Sequence, residues 1–223
     1  MKTPPTAEPP ESLDPKRVGD CPAASCSSIF IEPGYSGREV NAVLRASESM
    51  GLSRCYGKGD PSQLHVGSVE WVESVIGPQI PDFYPTWTKG AWHRRIMQTG
   101  PQFIKSASKY KKFEAFWDSV YLSGLVTFTD EWRHYCAGGK SLCSWWYQGD
   151  ESTCAEDPNG PPLPFGLPSR FCGAIDIGRL DSGEIALVEV QHPYAIGWYG
   201  EQGEAHLYLD FLLRGWQSLK TNA

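Results

Sequence analysis

The stretch RFCGAIDIGRLDSGEIALVEVQ, residues 170–191, contains two apolar segments separated by a short polar turn. The turn at residues 181–183 combines Asp, Ser and Gly, which favours a β-hairpin between the two segments. In that hairpin Asp176 and Glu189 lie on opposite strands at similar distances from the turn. Gln191 faces the same side of the sheet as Glu189, because side chains alternate along a strand. The stretch therefore predicts an antiparallel sheet on which two acids and an amide lie close together.

Apolar residues flank both acids of this hairpin. Adjacent buried carboxylates repel each other, which raises their pKa values unless a cation lies between them. A hard divalent ion such as Mg²⁺ binds carboxylate and amide oxygens. We therefore predict a metal site formed by Asp176, Glu189 and Gln191. Two surface carboxylates without any ligand remain the alternative interpretation.

The composition excludes several classes of protein. With 223 residues, of which 40% are hydrophobic, the chain is long enough to form a substantial core. A net charge of −6 argues against a nucleic-acid partner. No apolar run approaches the length of about 18 residues that a membrane span needs, and no signal peptide is evident. The 7 cysteines are scattered without a CxxC pair, which is typical of reduced thiols, so we expect a cytoplasmic protein without a membrane partner.

Three regions of different composition divide the chain. Residues 1–27 are rich in proline and contain no aromatic residue, which predicts a disordered tail. Residues 28–95 begin with a strand, a glycine-containing turn and a helix, the opening of an α/β lobe. Residues 96–223 carry the hairpin described above and are predicted to form the domain that holds the site.

Periodicity gives the expected elements of each region. In the first lobe we predict a strand at 27–33, a helix at 38–52 and a short helix at 66–77. In the second we predict a strand at 102–106, a helix at 106–120, a hairpin of 125–137 with 141–148, and a final helix at 204–219. The Pro/Gly-rich segment 151–169 has the length and composition of a lid or a disordered loop.

Two basic residues in apolar strands are candidates for binding an anion. Lys105 ends a short apolar strand, and Arg133 lies in an alternating strand among aromatic residues. A phosphate suits both side chains, Lys as a point charge and Arg as a bidentate donor. A solvated strand face with extended basic side chains is the alternative. The sequence GGKS at 138–141 lacks the first glycine and the strand–helix context of a phosphate-binding P-loop, so we interpret it as a hairpin turn.

The order of these motifs resembles a known family. The segments FIKS (103–106), KKFEAF (111–116), DEWR (130–133), DIG (176–178) and LVEVQHPYAIGWYG (187–200) are similar to the C-terminal half of ATP-grasp enzymes. The closest resemblance is to a divergent clade of phage and bacterial proteins of this fold, distantly similar to the eukaryotic assembly chaperone of a translation initiation factor. The resemblance covers residues 65–215 and implies an α+β, ATP-grasp fold in which two antiparallel sheets hold a nucleotide.

The resemblance also implies roles for individual residues. Lys105 would contact an ATP phosphate or the adenine edge, while Arg133 and Arg95 would face the phosphates, with Arg133 and Lys105 as the catalytic pair. Asp176 and Glu189 would hold Mg²⁺ together with Gln191. Adenine would meet backbone groups of a hinge strand at Tyr121, Leu122 and Ser123.

Active relatives phosphorylate a carboxylate with ATP and couple it to an amine or another nucleophile, so the expected partners are ATP and a carboxylate or amine substrate. The loop after the acid strand would then form a wall for the acceptor, with Gly197 and Gly200 allowing close approach. Two positions depart from the family pattern. Gln191 stands where Asn is common, and Gly124 stands where an acidic residue near the ribose is expected.

Two other functions remain open at this point. The same scaffold without turnover would be an ATP-binding chaperone or interaction module with a protein client. An Asp followed by Glu-x-Gln on a hairpin also resembles the PD-(D/E)xK arrangement of Mg-dependent nucleases, with its Lys replaced by Gln191. The net charge of −6 argues against the nuclease.

Overall fold

The computed structural model describes residues 26–77, 102–106, 120–124 and 127–221. Its strands are β1 Ser28–Ile31, β2 Ser53–Tyr56, β3 Leu64–Val66, β4 Gln102–Ser106, β5 Val120–Gly124, β6 Phe128–Ala137, β7 Lys140–Gly149, β8 Gly173–Leu180 and β9 Ile185–Gln191. Its helices are α1 Arg38–Ser49, α2 Val69–Ile76, α3 Glu151–Glu156 and α4 Ala205–Thr221, the last preceded by a 3₁₀ turn at Gln202–Glu204. The predicted α+β class is confirmed.

A small parallel sheet forms the N-terminal lobe, with strand order β2-β1-β3. The predicted strand–turn–helix opening corresponds to β1 and α1. The predicted helix at 66–77 begins later, at Val69. Val66 belongs to β3 and pairs with Ile31 of β1. The Ser68 side chain then caps the helix by accepting a hydrogen bond from Trp71 N. The strands β2 and β3 were not predicted, because they are too short to show a period of two.

A four-stranded antiparallel sheet of order β7-β6-β8-β9 forms the second half of the structure. Both predicted hairpins are present. Gly138 and Gly139 form the turn between β6 and β7 with φ of 62° and 74°, so both residues adopt the left-handed conformation that tight hairpins require. The sequence GGKS is therefore a hairpin turn, as predicted.

One face of this sheet shares a core with the N-terminal lobe. The helix α4 packs against α1 and β6, and its predicted apolar face is buried. The core that results contains residues from the parallel sheet, from α1, from β6 and β8, from the loop after β9 and from α4, including Ile29, Ile31, Val43, Tyr135, Ala174, Trp198, Tyr208, Leu209, Leu212 and Trp216. The two lobes are therefore stabilised by the same buried surface.

The opposite face of the sheet is covered by the segment that follows α3. Leu163, Phe165 and Leu167 pack on a second core cluster that includes Trp132 and Ile175. The Trp132 indole donates a hydrogen bond to the Asp157 carbonyl (3.1 Å) and Trp146 N donates one to the Pro158 carbonyl (2.7 Å). The segment 151–169 is therefore ordered, and the alternative of a disordered loop is wrong, because its apolar residues pack on this face. The alternative of a lid stays a prediction.

A separate two-stranded antiparallel sheet consists of β4 and β5, with Lys105 opposite Tyr121. The predicted helix at 106–120 has its two end residues in β4 and β5, and residues 107–119 lie outside the described residues. Most of the predicted tail, the connection between the lobes and Arg95 also lie outside them. The division of the chain at residues 95/96 therefore stays a prediction. Within the described part of the chain, no helix has both the length and the apolar character needed to cross a membrane.

Candidate functional site

A row of polar side chains crosses three neighbouring strands of the four-stranded sheet. Arg133 of β6 stands opposite Asp176 of β8, and Asp176 stands opposite Glu189 of β9, so the three residues occupy adjacent positions across the sheet. Gln191 follows two positions later on β9 and faces the same side. We call these four residues the polar row. The predicted closeness of Asp176, Glu189 and Gln191 is thus observed.

Arg133 and Asp176 form a buried bidentate ion pair. Arg133 Nε donates to Asp176 Oδ1 and Nη2 donates to Oδ2, both at 2.7 Å, and the residues are 6% and 1% exposed. Burial opposes the charge of Arg133, but the hydrogen bonds and charge of Asp176 outweigh it and raise the pKa of the guanidinium. Burial also raises the pKa of Asp176, although the hydrogen bonds from Arg133 act in the opposite direction.

This ion pair changes the electrostatic argument made from the sequence. A divalent ion was predicted as the shared counter-charge of the two acids, whereas the structure places a guanidinium beside Asp176. Gln191 Nε2 donates to Asp176 Oδ2 (3.0 Å) and also to Glu189 Oε1, so the amide bridges the two acids. A metal ion held by Gln191 would require this amide to turn its oxygen toward the acids.

The donor set nevertheless fits a magnesium ion. Among the described residues there is no cluster of three or more His, Cys, Asp or Glu side chains that could hold a metal. Mg²⁺ does not need such a cluster, since it is commonly held by one or two carboxylates and completes its octahedron with water and phosphate oxygens. Two neighbouring carboxylates and one amide are compatible with that mode of binding.

Two tyrosines that stack on each other both lie beside the guanidinium of Arg133. Its Cζ atom lies 5.5 Å from the ring centre of Tyr147 and 5.0 Å from that of Tyr199, and the two rings stack at 4.9 Å. The Tyr147 hydroxyl donates to Glu131. Tyr199 lies in the loop that was predicted to form the acceptor wall, whereas Tyr147 was not predicted as part of the site. Tyr147 is the extra residue of a β-bulge in β7, and no sequence pattern locates that bulge.

One edge of the guanidinium remains available for a ligand. Within the described residues, Arg133 Nη1 makes no hydrogen bond, whereas Nε and Nη2 both bind Asp176. A Cβ atom added to Gly197 would lie 3.9 Å from Nη1 and 3.8 Å from the Tyr199 hydroxyl, so Gly197 borders this edge. Gly200 has a different role from the one expected, because a Cβ there would overlap the Trp198 ring. The packing of the loop requires that glycine.

The loop that carries Gly197 is held in place by other elements. The Tyr135 hydroxyl donates to the Gly197 carbonyl (2.7 Å) and accepts a hydrogen bond from Tyr199 N (3.1 Å). Arg38 Nη2 of α1 donates to the Gly200 carbonyl (3.1 Å). The Tyr208 hydroxyl donates to the Ile196 carbonyl, and the Tyr194 hydroxyl donates to Glu73 of α2. The wall beside Arg133 is therefore fixed by four side chains outside the loop and by one of its own.

The other predicted nucleotide contacts lie in the two-stranded sheet or outside the described residues. Lys105 of β4 pairs in register with Tyr121 of β5, and Leu122 and Ser123 follow on the same strand. The predicted lysine and the predicted hinge strand thus belong to one sheet. Arg95 lies outside the described residues, and its role stays a prediction.

Comparison with protein families identifies the family of the chain. A family model described as ATP-grasp domain, R2K clade family 2, matches residues 89–209, just over half of the chain. The chain belongs to the ATP-grasp family. The matched part of the ATP-grasp domain contains every predicted site residue, from Arg95 to Gln191. No curated protein matches the chain.

Membership of the family confirms the resemblance found in the sequence. ATP-grasp domains bind ATP, typically with Mg²⁺, so a nucleotide is the ligand class that the family indicates for this domain. The same membership argues against the nuclease alternative, which rested on the Asp and Glu-x-Gln pattern alone.

Proposed function

We propose that the protein is an ATP- and Mg²⁺-dependent ligase of ATP-grasp type. It phosphorylates a carboxylate and couples the activated acyl group to an amine or another nucleophile on a small molecule, peptide or protein. The observation that carries this proposal is the polar row, which joins a buried arginine to two acids and an amide inside the region matched by the family. The predicted location is the cytoplasm.

Arg133 is the residue best suited to bind the phosphates. Asp176 and the two tyrosines fix the orientation of its guanidinium, so the free Nη1 edge is pre-organised to donate hydrogen bonds to a phosphoryl oxygen. Because the side chain is already immobilised and desolvated, little reorganisation is needed when negative charge develops on the transferred group. Lys105 is proposed to add a second positive charge from β4.

Glu189, Asp176 and Gln191 are proposed to hold Mg²⁺. The ion would supply neutralisation of the phosphate charge during transfer. In the proposed reaction a substrate carboxylate oxygen attacks the γ-phosphorus and ADP leaves. The nucleophile then attacks the acyl carbon and phosphate leaves, with loss of a proton when the nucleophile is an amine. These steps need positioning and charge neutralisation rather than a covalent protein group.

Nucleotide binding can be tested with a matched pair of variants. Glu189→Gln removes a proposed Mg²⁺ ligand without changing its size, and Glu184→Gln removes an exposed carboxylate from the same hairpin outside the polar row. We expect Mg-ATP to stabilise the wild type and the Glu184→Gln variant by about 2.7 kcal/mol at about 100 times the Kd. Glu189→Gln should bind Mg-ATP at least tenfold more weakly. A melting temperature of the wild type that ATP, with or without Mg²⁺, leaves unchanged would contradict the proposal.

Turnover can be tested with hydroxylamine as the nucleophile, because it converts an activated carboxylate into a hydroxamate. We expect ADP release that depends on an added carboxylate and produces an equal amount of hydroxamate. The same carboxylates with Arg133→Lys, which keeps the charge but loses the bidentate geometry, should give much less product. Tight Mg-ATP binding without ADP release from any carboxylate panel would instead support the ATP-binding module with a protein client.

A further inference from the structure

A cavity lies along the outer edge of the four-stranded sheet, away from the polar row. It has a volume of about 750 Å³ and is bounded by β7, by the irregular segment after α3 and by the start of α4. No residue of the polar row lines it, and neither do Tyr147 or Tyr199. Its apolar walls are formed by Leu142, Leu163, Phe165, Leu167 and Leu207. Its volume is in the range of about 300–1,000 Å³ that is usual for small-molecule sites.

An acidic group that forms no ion pair with another described residue lines this cavity. Glu204 lines the cavity, and its Oε2 atom is buried with no hydrogen-bond partner among the described residues. A buried carboxylate oxygen without a donor is costly, so a partner is expected when the site is in use. Lys140 also lines the cavity but is exposed, and within the described part of the chain it makes no ion pair with Glu204.

The neighbouring titratable groups do not supply the missing charge. Burial lowers the pKa of His134 to about 4, so the imidazole is neutral at pH 7. Burial raises the pKa of the Cys143 thiol to about 12, and the negative charge of Glu204 acts in the same direction. The thiol is therefore neutral as well. Cys143 and Glu204 both line the cavity, and the effect of Glu204 on the pKa of the thiol agrees with their closeness.

The chemistry of the walls indicates the kind of cation. The described residues offer no group of three metal-ligating side chains here. The walls are instead mostly aliphatic and aromatic, and Trp145, which also lines the cavity, provides an indole ring of the type that favours cations. We propose that this cavity binds an organic ammonium ion with an apolar body, whose charged group pairs with Glu204. This site is independent of the proposed nucleotide site.

The proposal can be tested by calorimetry with three probes of similar size. 2-Phenylethylamine carries the ammonium group, 2-phenylethanol is neutral and phenylacetate is anionic. We expect the amine to bind the wild type at least tenfold more tightly than either of the other two at pH 7. In Glu204→Gln the three probes should bind within about threefold of one another, because a single charge–charge contact distinguishes them.

Glu201→Gln is the matched control, since Glu201 is exposed, lies on the same turn and does not line the cavity. We expect this variant to keep the preference for the amine. Equal binding of all three probes to the wild type, or an amine preference that survives in Glu204→Gln, would overturn the proposal. The wild-type comparison decides this even if Glu204→Gln should fail to fold.

Discussion

Arg133 and Asp176 are buried together in a sheet whose other inward side chains are mainly apolar. A buried ion pair contributes little net stability, because desolvation of both charges offsets their attraction. Removing only one partner is far more costly, since it leaves the other charge buried and unpaired. The pair therefore determines where the guanidinium points more than how stable the sheet is.

A double-mutant cycle tests this interpretation of the pair. We expect Arg133→Met and Asp176→Leu each to lower the free energy of unfolding by about 3–5 kcal/mol. The double variant should lose clearly less free energy of unfolding than the sum of the two single losses, because it removes both charges of the pair and leaves neither of them unpaired. Urea denaturation of the four proteins measures these energies. Additive losses would mean that the two side chains act independently.

His134 predicts a pH dependence of stability. Its folded-state pKa of about 4 lies below the unfolded value of about 6.5, so the unfolded state binds the proton more tightly. Stability is therefore complete above pH 6.5 and is lost as the pH falls toward 4. We expect a loss of about 2 kcal/mol between pH 7 and pH 5 from this group. Urea denaturation at both pH values should show a smaller loss for His134→Gln, and equal losses would contradict the prediction.

At the scale of elements, the β6–β7 turn allows a comparison between two adjacent glycines. Both have positive φ, but a Cβ on Gly138 would meet nothing within 4 Å, whereas one on Gly139 would lie 2.8 Å from the Pro168 carbonyl oxygen and from Ser169 Cα. The backbone of the segment that covers the sheet therefore packs directly against Gly139.

Substitution of these two glycines tests that contact. We expect Gly138→Ala to cost about 1 kcal/mol, the penalty of a left-handed conformation for an L-residue. Gly139→Ala should cost at least about 1 kcal/mol more, because the Pro168–Ser169 backbone must move as well. Thermal or urea denaturation of both variants measures the difference. Similar losses would show that the covering segment adapts without cost.

The hairpin of β8 and β9 was predictable because its pattern is local. Two apolar segments and a Gly-containing turn fix which residues face each other, so Asp176 could be placed beside Glu189. The pairing of β6 with β8 could not be predicted, because β7, α3 and a long irregular segment intervene between them. The bidentate contact of Arg133 depends on that non-local pairing, and the contribution of Tyr147 depends on a bulge.

At the scale of the whole molecule, α4 joins the two lobes into one core. Trp216 is 3% exposed, its indole donates to the Pro61 carbonyl (3.1 Å) and its ring stacks on His65 of β3 at 5.3 Å. The C-terminal helix thus covers the parallel sheet of the N-terminal lobe. The sequence predicted the apolar face of α4, but it gave no indication that its partner lies at the other end of the chain.

Hydrogen exchange tests whether the lobes unfold together. We expect Trp216→Ala to lower the free energy of unfolding by about 3–5 kcal/mol. The loss should be the same for the protected amides of β1 and of β6, because both strands contribute to the same core. Arg214→Ala, which removes an exposed i,i+4 pair with Asp210 from the same helix, should cost less than about 1 kcal/mol. A loss confined to β1 would show two independent folding units.

The attachment of the loop at 192–200 has a mechanical consequence. Arg38 of α1 and Glu73 of α2 form hydrogen bonds with a loop whose Tyr199 lies against the Arg133 guanidinium. The position of the parallel sheet and its helices therefore affects the position of the arginine, through this loop. A molecule that moved the N-terminal lobe by even a fraction of an ångström would shift the Nη1 edge of Arg133, although it would touch no residue of the polar row.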